Sequence, residues 1–261
     1  FTGLFVPRTS QISLYPTRET ALQFSPAVPP TDYVLRTGMN MKYKNTVEAL
    51  FHSRPNRFIA NVWLDGKLET VHVKNTGRCR ELLIPNASVV LQRSDNPARK
   101  TKYDLISVYK EKAGWVNIDS QAPNRVVKEW LLRQDYTLIR PEYNYGNSRL
   151  DFYMEKKKKK YLMEVKGCTL EIDGIGYLPD APTGRGVRHL QELARAASQG
   201  FHCITAFVIQ MEGIHEVRAN TATHKEFGEA LDRAREAGVQ IVGMECRVTK
   251  DTLEIANEII L

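Results

Sequence analysis

Three side chains in the middle of the chain have the types and spacing for phosphodiester chemistry. Asp151 lies in the stretch Ser148–Glu155 (SRLDFYME), and Glu164 and Lys166 lie in Lys160–Cys168 (KYLMEVKGC). In a strand, residues i and i+2 share a face, so Glu164 and Lys166 project together. If the two stretches pair as a hairpin, Asp151 joins them at one end of a sheet. Asp151 and Glu164 are then candidate ligands for a hard divalent cation, Mg²⁺ or Mn²⁺, which takes one or two carboxylates plus waters. Lys166 would orient or deprotonate the attacking water, or offset charge in the transition state. The plainer reading of the same spacing is a salt bridge on a solvated strand face. A single Asp inside an otherwise apolar strand, followed by a hairpin-length connection, adds weight to the catalytic reading without displacing the plainer one.

Further candidates surround this trio. Five lysines, Lys156–Lys160, separate the two stretches; they predict a solvated hairpin tip, with a phosphate clamp as the alternative. Pro179-Asp180 and Thr183–His189 (TGRGVRH) follow the second stretch and open a helix. Arg185 and Arg188 would contact phosphate beside the helix N-terminus, or the segment is simply a helix cap. Asp180 is a candidate additional carboxylate on the metal side, and Glu129 and Glu142 are weaker ones. Cys168 adjoins the site without an evident His partner and reads as packing, and the six histidines show no metal-ligand spacing.

The elements that must position these residues alternate between helix and strand. Pro123–Gln134 has Val126, Val127, Trp130 and Leu131 at helical spacing,. The two site strands follow, after Leu138–Tyr145. Gly184–Gln199 predicts a helix stopped by Gly200, and Phe201–Gln210 reads as a strand buried on both faces,. A helix over about Thr223–Ala237 and a strand over Val239–Cys246 complete an α/β domain with a mixed sheet,.

Upstream of Pro123 the rhythm is of short strands. Arg57–Leu64, Leu68–Val73, Ser88–Gln92, Asp104–Lys110 and Trp115–Ile118 alternate with turn residues, and Asp65-Gly66 is a hairpin signal,. This predicts a small β-barrel of the oligonucleotide-binding kind. Residues 42–110 hold 13 Lys and Arg against 6 Asp and Glu, so the net charge of +7 sits in this block. An anionic partner follows, nucleic acid first and DNA before RNA, with most of the affinity expected here. Phe58, Trp63, Tyr103, Tyr109 and Trp115 would supply stacking surfaces, although most of them are expected in the core. Asn75-Thr76-Gly77-Arg78 is either a plain turn or a phosphate-holding loop made of backbone amides, the Thr76 hydroxyl and Arg78.

The composition sets the outer bounds. At 261 residues the chain has room for two domains, here 42–120 and 121–261,. Residues 1–41 are proline-rich without periodicity and read as a disordered or non-native extension, with translation starting at Met39 or Met41,. No apolar run reaches the roughly 18 residues of a membrane helix. Four dispersed cysteines without CxxC spacing predict reduced thiols and a cytoplasmic protein, with neither disulfide framework nor zinc site,.

The same residues carry a family resemblance. Asn75-Thr76-Gly77, Ser148–Phe152, Glu164-Val165-Lys166, Pro179-Asp180-Ala181, Arg185-Gly186, His189-Leu190 and Glu192-Leu193 occur in the order and spacing of the sugar fermentation stimulation protein A family. The similarity runs from about Arg57 to the C-terminus. It implies an N-terminal oligonucleotide-binding (OB) barrel followed by a PD-(D/E)xK nuclease-like domain, with Asp151, Glu164 and Lys166 matching the nuclease motif. It also implies DNA binding and a role in regulating sugar (maltose) metabolism. Two functions follow: a metal-dependent nuclease, or a DNA-binding transcriptional regulator that keeps the fold without the chemistry.

Overall fold

A computed structural model of the chain describes residues 11–13 and 41–261. Of the N-terminal segment, Gln11–Ser13 (β1) forms a short edge strand, and the expectation of an extension otherwise concerns residues outside those described. Met41–Lys42 (β2) does not open the barrel: it pairs with the last strand of the C-terminal sheet, and Met41 and Tyr43 are buried in that domain's core. Their apolar side chains decide this placement.

The barrel begins at β3 (Thr46–Asn56) and continues through β4 (Ile59–Leu64), β5 (Lys67–Val73), β6 (Ser88–Arg93) and β7 (Tyr103–Lys110), with β8 (Gly114–Asn117) pairing beyond β7. The antiparallel order β5-β4-β3-β6-β7 closes on itself where His72 and Val73 of β5 pair in parallel with Asp104 and Leu105 of β7. Both Asp65 and Gly66 have positive φ, as the two-residue turn between β4 and β5 requires,. Val62, Val71, Val89, Leu91 and Leu105 fill the interior. β3, the longest barrel strand, went unread because Ser53-Arg54-Pro55-Asn56 breaks its alternation and its register shifts there. Of the five aromatics, Phe58, Trp63 and Tyr109 are exposed, more than expected, while Tyr103 and Trp115 are half-buried.

The second domain runs α1 (Ala122–Leu131), β9 (Leu138–Tyr145), β10 (Ser148–Lys156), β11 (Lys159–Cys168), β12 (Leu170–Ile172), β13 (Ile175–Leu178), α2 (Gly184–Ser198), β14 (His202–Ile209), β15 (Glu216–Ala219), α3 (Lys225–Glu236), β16 (Gln240–Val248) and β17 (Thr252–Ile260). Its main sheet has the order β2-β17-β16-β14-β11-β10-β9, with β11, β14 and β16 parallel and the flanks antiparallel. Leu190 and Leu193 of α2 and Leu231 of α3 pack with Leu162, Phe207 and Ile241 on one face. Val126, Val127 and Leu131 of α1 pack with Met163, Val165 and Val208 on the other. A small sheet, β1-β15-β13-β12, lies beside it; its strands are too short for their periodicity to register.

A buried polar cluster joins the domains at residues 117–121. Asp119 accepts hydrogen bonds from Tyr43 (3.1 Å) and the Gln121 amide (2.9 Å) and pairs with Lys74 Nζ at 3.0 Å. The Gln210 side chain, at the end of β14, donates to Asn117 and to the Asp119 carbonyl. Burial, together with the Asp119 charge, pushes the Tyr43 phenol well up. Removing one partner of such a cluster leaves the rest buried and unpaired. Asp119→Ala is therefore expected to cost about 3–5 kcal/mol in urea unfolding, well above the cost of Tyr43→Phe; a loss no larger than that of Tyr43→Phe would mean the cluster does not hold the junction.

Candidate metal and nucleic-acid site

The hairpin expected from sequence forms: β10 and β11 pair from Lys156↔Lys159 to Phe152↔Met163. Lys157 and Lys158 form the turn in left-handed conformation. Five or more residues of extended strand separate this tip from Glu164, about 17 Å. The lysine run is thus a hairpin tip at the opposite end of the strands from the carboxylates. Lys156 is occupied by Asp135.

Beyond Phe152↔Met163 the ladder stops, and a side chain replaces it. Asp151 Oδ2 accepts the Val165 N–H at 2.8 Å, and Oδ1 accepts from Asn124 Nδ2 of α1 at 2.8 Å. Glu164 is only 2 % exposed. Its Oε1 receives two donors, Lys166 Nζ and His189 Nδ1. Arg185 Nε, one helical turn before His189, donates to His189 Nε2 at 3.3 Å. A guanidinium only donates, so Nε2 accepts and Nδ1 carries the proton given to Glu164. The environments separate the two carboxylates. Burial, then the Glu164 charge, pushes Asp151 up. Burial also opposes ionisation of Glu164, but the His189 hydrogen bond and the Lys166 charge outweigh it and bring its carboxyl down.

Glu164 Oε2 is buried without a hydrogen-bond partner, and so is the hydroxyl of Thr205, its register neighbour on β14. A buried anionic oxygen left open beside a second carboxylate fits a hard cation, which completes its shell with water and substrate oxygens. Among the described residues, no group of three or more His, Cys, Asp or Glu side chains is arranged to hold a metal. A cation here would have two protein carboxylates, Asp151 and Glu164, as its candidate ligands.

The remaining sequence candidates separate. Asp180 lines the cleft that reaches Lys166, and its Oδ2 accepts the Cys79 N–H at 2.9 Å, which ties it to the loop that carries Asn75–Arg78. Glu129 sits on α1, which covers the opposite face of the sheet from Glu164. Glu142 lies on β9 at a left-handed residue facing Asp151 in register, but its side chain is exposed and 3.7 Å from Arg149. Arg188 is exposed on the first turn of α2, where Thr183 caps the helix by accepting from Gly186 N–H at 2.9 Å.

The loop after β5 is built by Arg54, a residue the sequence pattern did not single out. Its two Nη atoms donate to the carbonyls of Asn75 (2.7 Å), Gly77 (3.0 Å), Arg78 (2.6 Å) and Arg57 (2.9 Å). The Asn75 side chain is consumed as well, accepting from Gly77 N–H at 2.7 Å and donating to the Ile118 carbonyl at 2.9 Å. Asn75 therefore shapes the loop, and Thr76 and Arg78 are the members left facing outward. A Cβ on Gly77 would lie 2.6 Å from Asp180 Oδ2 and 2.9 Å from Asn75 Oδ1, so a side chain here would displace the two groups that shape the loop. Along the loop runs a cleft of about 540 Å³ lined by Arg54, Arg57, Arg78, Arg80 and, from the other domain, Ala181 and Pro182. Thr76, Gly77, Ala181 and Pro182 also wall a second cleft that reaches Lys166.

A closed five-stranded OB barrel followed by an α/β domain with a mixed sheet, the two joined at a loop that leads to a carboxylate pair, defines the class of protein. Residues 53–118 match the model described as the SfsA N-terminal OB domain, and residues 121–252 the model described as the sugar fermentation stimulation protein RE domain. The sugar fermentation stimulation protein homolog of Clostridium beijerinckii is 52% identical over 83% of this chain and 97% of its own length. That of Ruminiclostridium cellulolyticum is 49% identical over 84% and 98%. A structure of Pyrococcus furiosus SfsA in complex with Ca²⁺ superposes with a TM-score of 0.73 at 24% identity, covering 85% of this chain and 98% of that one. The chain belongs to the sugar fermentation stimulation protein family.

No helix among the described residues is long and apolar enough to cross a membrane. The four cysteines are free and buried, and burial pushes the Cys168 thiol up to about 12, so it is a packing residue as expected.

Three bonds from one guanidinium are the loop's main support, and a fourth ties it to the Arg57 carbonyl. Arg54→Ala is expected to cost about 2–3 kcal/mol and to accelerate amide exchange over Asn75–Arg80. Arg54→Lys should recover little of this, since an ammonium cannot span four carbonyls. Unchanged exchange over that loop in Arg54→Ala would show that the loop holds itself.

Proposed function

We propose that the chain is a divalent-metal-dependent phosphodiesterase of the PD-(D/E)xK type acting on nucleic acid, DNA first. The observation that carries the reading is the convergence of Asp151, Glu164 and Lys166, with one buried Glu164 oxygen left open for a ligand. Asp151 and Glu164 would hold Mg²⁺ or Mn²⁺, which supplies charge neutralisation at the phosphate and an activated water. The Ca²⁺ held by the Pyrococcus furiosus relative supports a divalent site here, since Ca²⁺ and Mg²⁺ are both hard, oxygen-seeking cations,.

The chain's own residues perform the rest. The Val165 amide and Asn124 fix the rotamer of Asp151. His189, its tautomer set by Arg185, orients Glu164 so that Oε2 and not Oε1 is offered to the ligand. Lys166 stands beside both carboxylates and reaches the cleft, where it orients the attacking water or offsets charge on the phosphate oxygens,. Thr76 and Arg78 from the barrel, and Arg185 and Arg188 from the start of α2, are the groups placed to contact flanking phosphates.

A second reading is a DNA-binding regulator of sugar metabolism that does not cleave; the relatives' name links them to sugar fermentation. One experiment separates the two. With Mg²⁺ or Mn²⁺ the wild type is expected to cut DNA or RNA, EDTA to stop it, and Lys166→Ala to slow cutting by about 10²–10⁴-fold while binding stays intact. Binding without any cutting would support the regulator; metal-independent cutting, or wild-type cutting by Lys166→Ala, would overturn the proposal.

A further inference from the structure

The cleft between the domains has properties that the carboxylate site does not require. Arg57, Arg78 and Arg80 line it, all exposed, and none makes a salt bridge among the described residues. Arg54 behind them spends its Nη donors on neutral carbonyls. Among the described residues, no acidic side chain lines the cleft. Its volume of about 540 Å³ is that of a small-molecule pocket, room for a nucleotide or two and not for a duplex.

An exposed aromatic ring adjoins Arg57, one of the lining residues. Phe58 is 51% exposed, and the Arg57 guanidinium lies over its ring, 5.8 Å from the centroid. Its backbone is anchored on both sides: the Phe58 amide donates to Asn56 Oδ1, and its carbonyl accepts from Val73 N–H. An exposed ring on an anchored backbone beside arginines without salt bridges suits a strand whose bases are free to stack. A duplex keeps its bases inside and offers such a ring nothing.

We infer that this cleft is a subsite for single-stranded nucleic acid, with phosphates on Arg57, Arg78 and Arg80 and a base on Phe58. The strand continues along Thr76–Gly77 and Ala181–Pro182, the walls common to both clefts, toward Lys166. This rests on the reading that the chain acts on nucleic acid, and adds the form of the substrate: unpaired where it enters from the barrel side.

The test is fluorescence anisotropy of the full chain in EDTA with short oligo(dT), oligo(U) and a duplex of equal length, over a range of salt. Oligo(dT) or oligo(U) should bind about tenfold or more tightly than the duplex, and whichever does so names the strand. Phe58→Ala should weaken single-strand binding by about tenfold and leave duplex binding unchanged. The Arg78→Ala/Arg80→Ala double variant should reduce the slope of log K against log salt by about 1.4. All three positions are solvent-facing, and circular dichroism confirms that the variants fold. Equal or tighter duplex binding, or a Phe58→Ala chain that binds single strands like wild type, overturns the inference. If such a chain still cuts nucleic acid with Mg²⁺, the proposed function stands without this subsite; a chain that binds none of the three probes overturns both.

Discussion

A guanidinium and a carboxylate, pulling on the same loop from two domains, hold the functional face together. Arg54 of the barrel collects the carbonyls of Asn75, Gly77 and Arg78, and Asp180 of the α/β domain takes the Cys79 amide. Between them the loop is held from both sides, and Gly77 leaves room for the Asp180 carboxylate, which a Cβ there would crowd at 2.6 Å. Thr76 lines one cleft with Arg78 and a second with Lys166, and this clamp fixes it between the two. A loop free to move would lose its backbone entropy on each binding event, at about 1–2 kcal/mol per residue ordered. Fixing it in the folded state removes that cost.

Behind the clamp, the sheet is interrupted where the chemistry is proposed. Antiparallel pairing of β10 and β11 ends one residue short of Asp151, and the next amide, Val165, turns to the Asp151 carboxylate. A carboxylate replaces a backbone carbonyl as acceptor, so the ladder loses a bond in name and keeps it in energy. On the other side of β11 the parallel pairing to β14 runs on through Cys168. The site strand is therefore rigid on one edge and open on the other, which leaves Glu164 and Lys166 room to face a ligand.

Much of this was legible in the sequence, and what was not has a common physical cause. The i, i+2 spacing of Glu164 and Lys166, the apolar frame of Asp151 and the lysine tip are local signals, and strand periodicity reads them directly. Phe201–Gln210 and the three helices carried equally strong local patterns, each within a few residues of its observed span. Missed were β3, whose alternation Pro55 breaks, and β17, which sits at the sheet's far side without a turn signal of its own. Arg54, Asn124 and His189 were missed because nothing local marks them. Arg54 acts on residues more than twenty positions away and His189 on one 25 positions back. The partner of Asp180 was hidden for the same reason: it is Cys79, 101 positions earlier. His189 and Glu192 did stand in the family pattern, so that resemblance held information about them that spacing did not.

The arrangement at Glu164 argues for a ligand on energetic grounds alone. Oε1 has two strong donors while Oε2, equally buried, has none, and the Thr205 hydroxyl beside it is unpaired too. An unsatisfied buried acceptor costs about 1–3 kcal/mol, more when it carries charge. Both donors converge on one oxygen, with Arg185 holding the His189 tautomer that makes this possible. Burial and the Glu164 charge raise Asp151. A divalent cation bound at the open oxygen would relieve both penalties, by coordinating that oxygen and by neutralising the repulsion. A purely structural salt bridge between Glu164 and Lys166 would have no reason to leave its second oxygen bare.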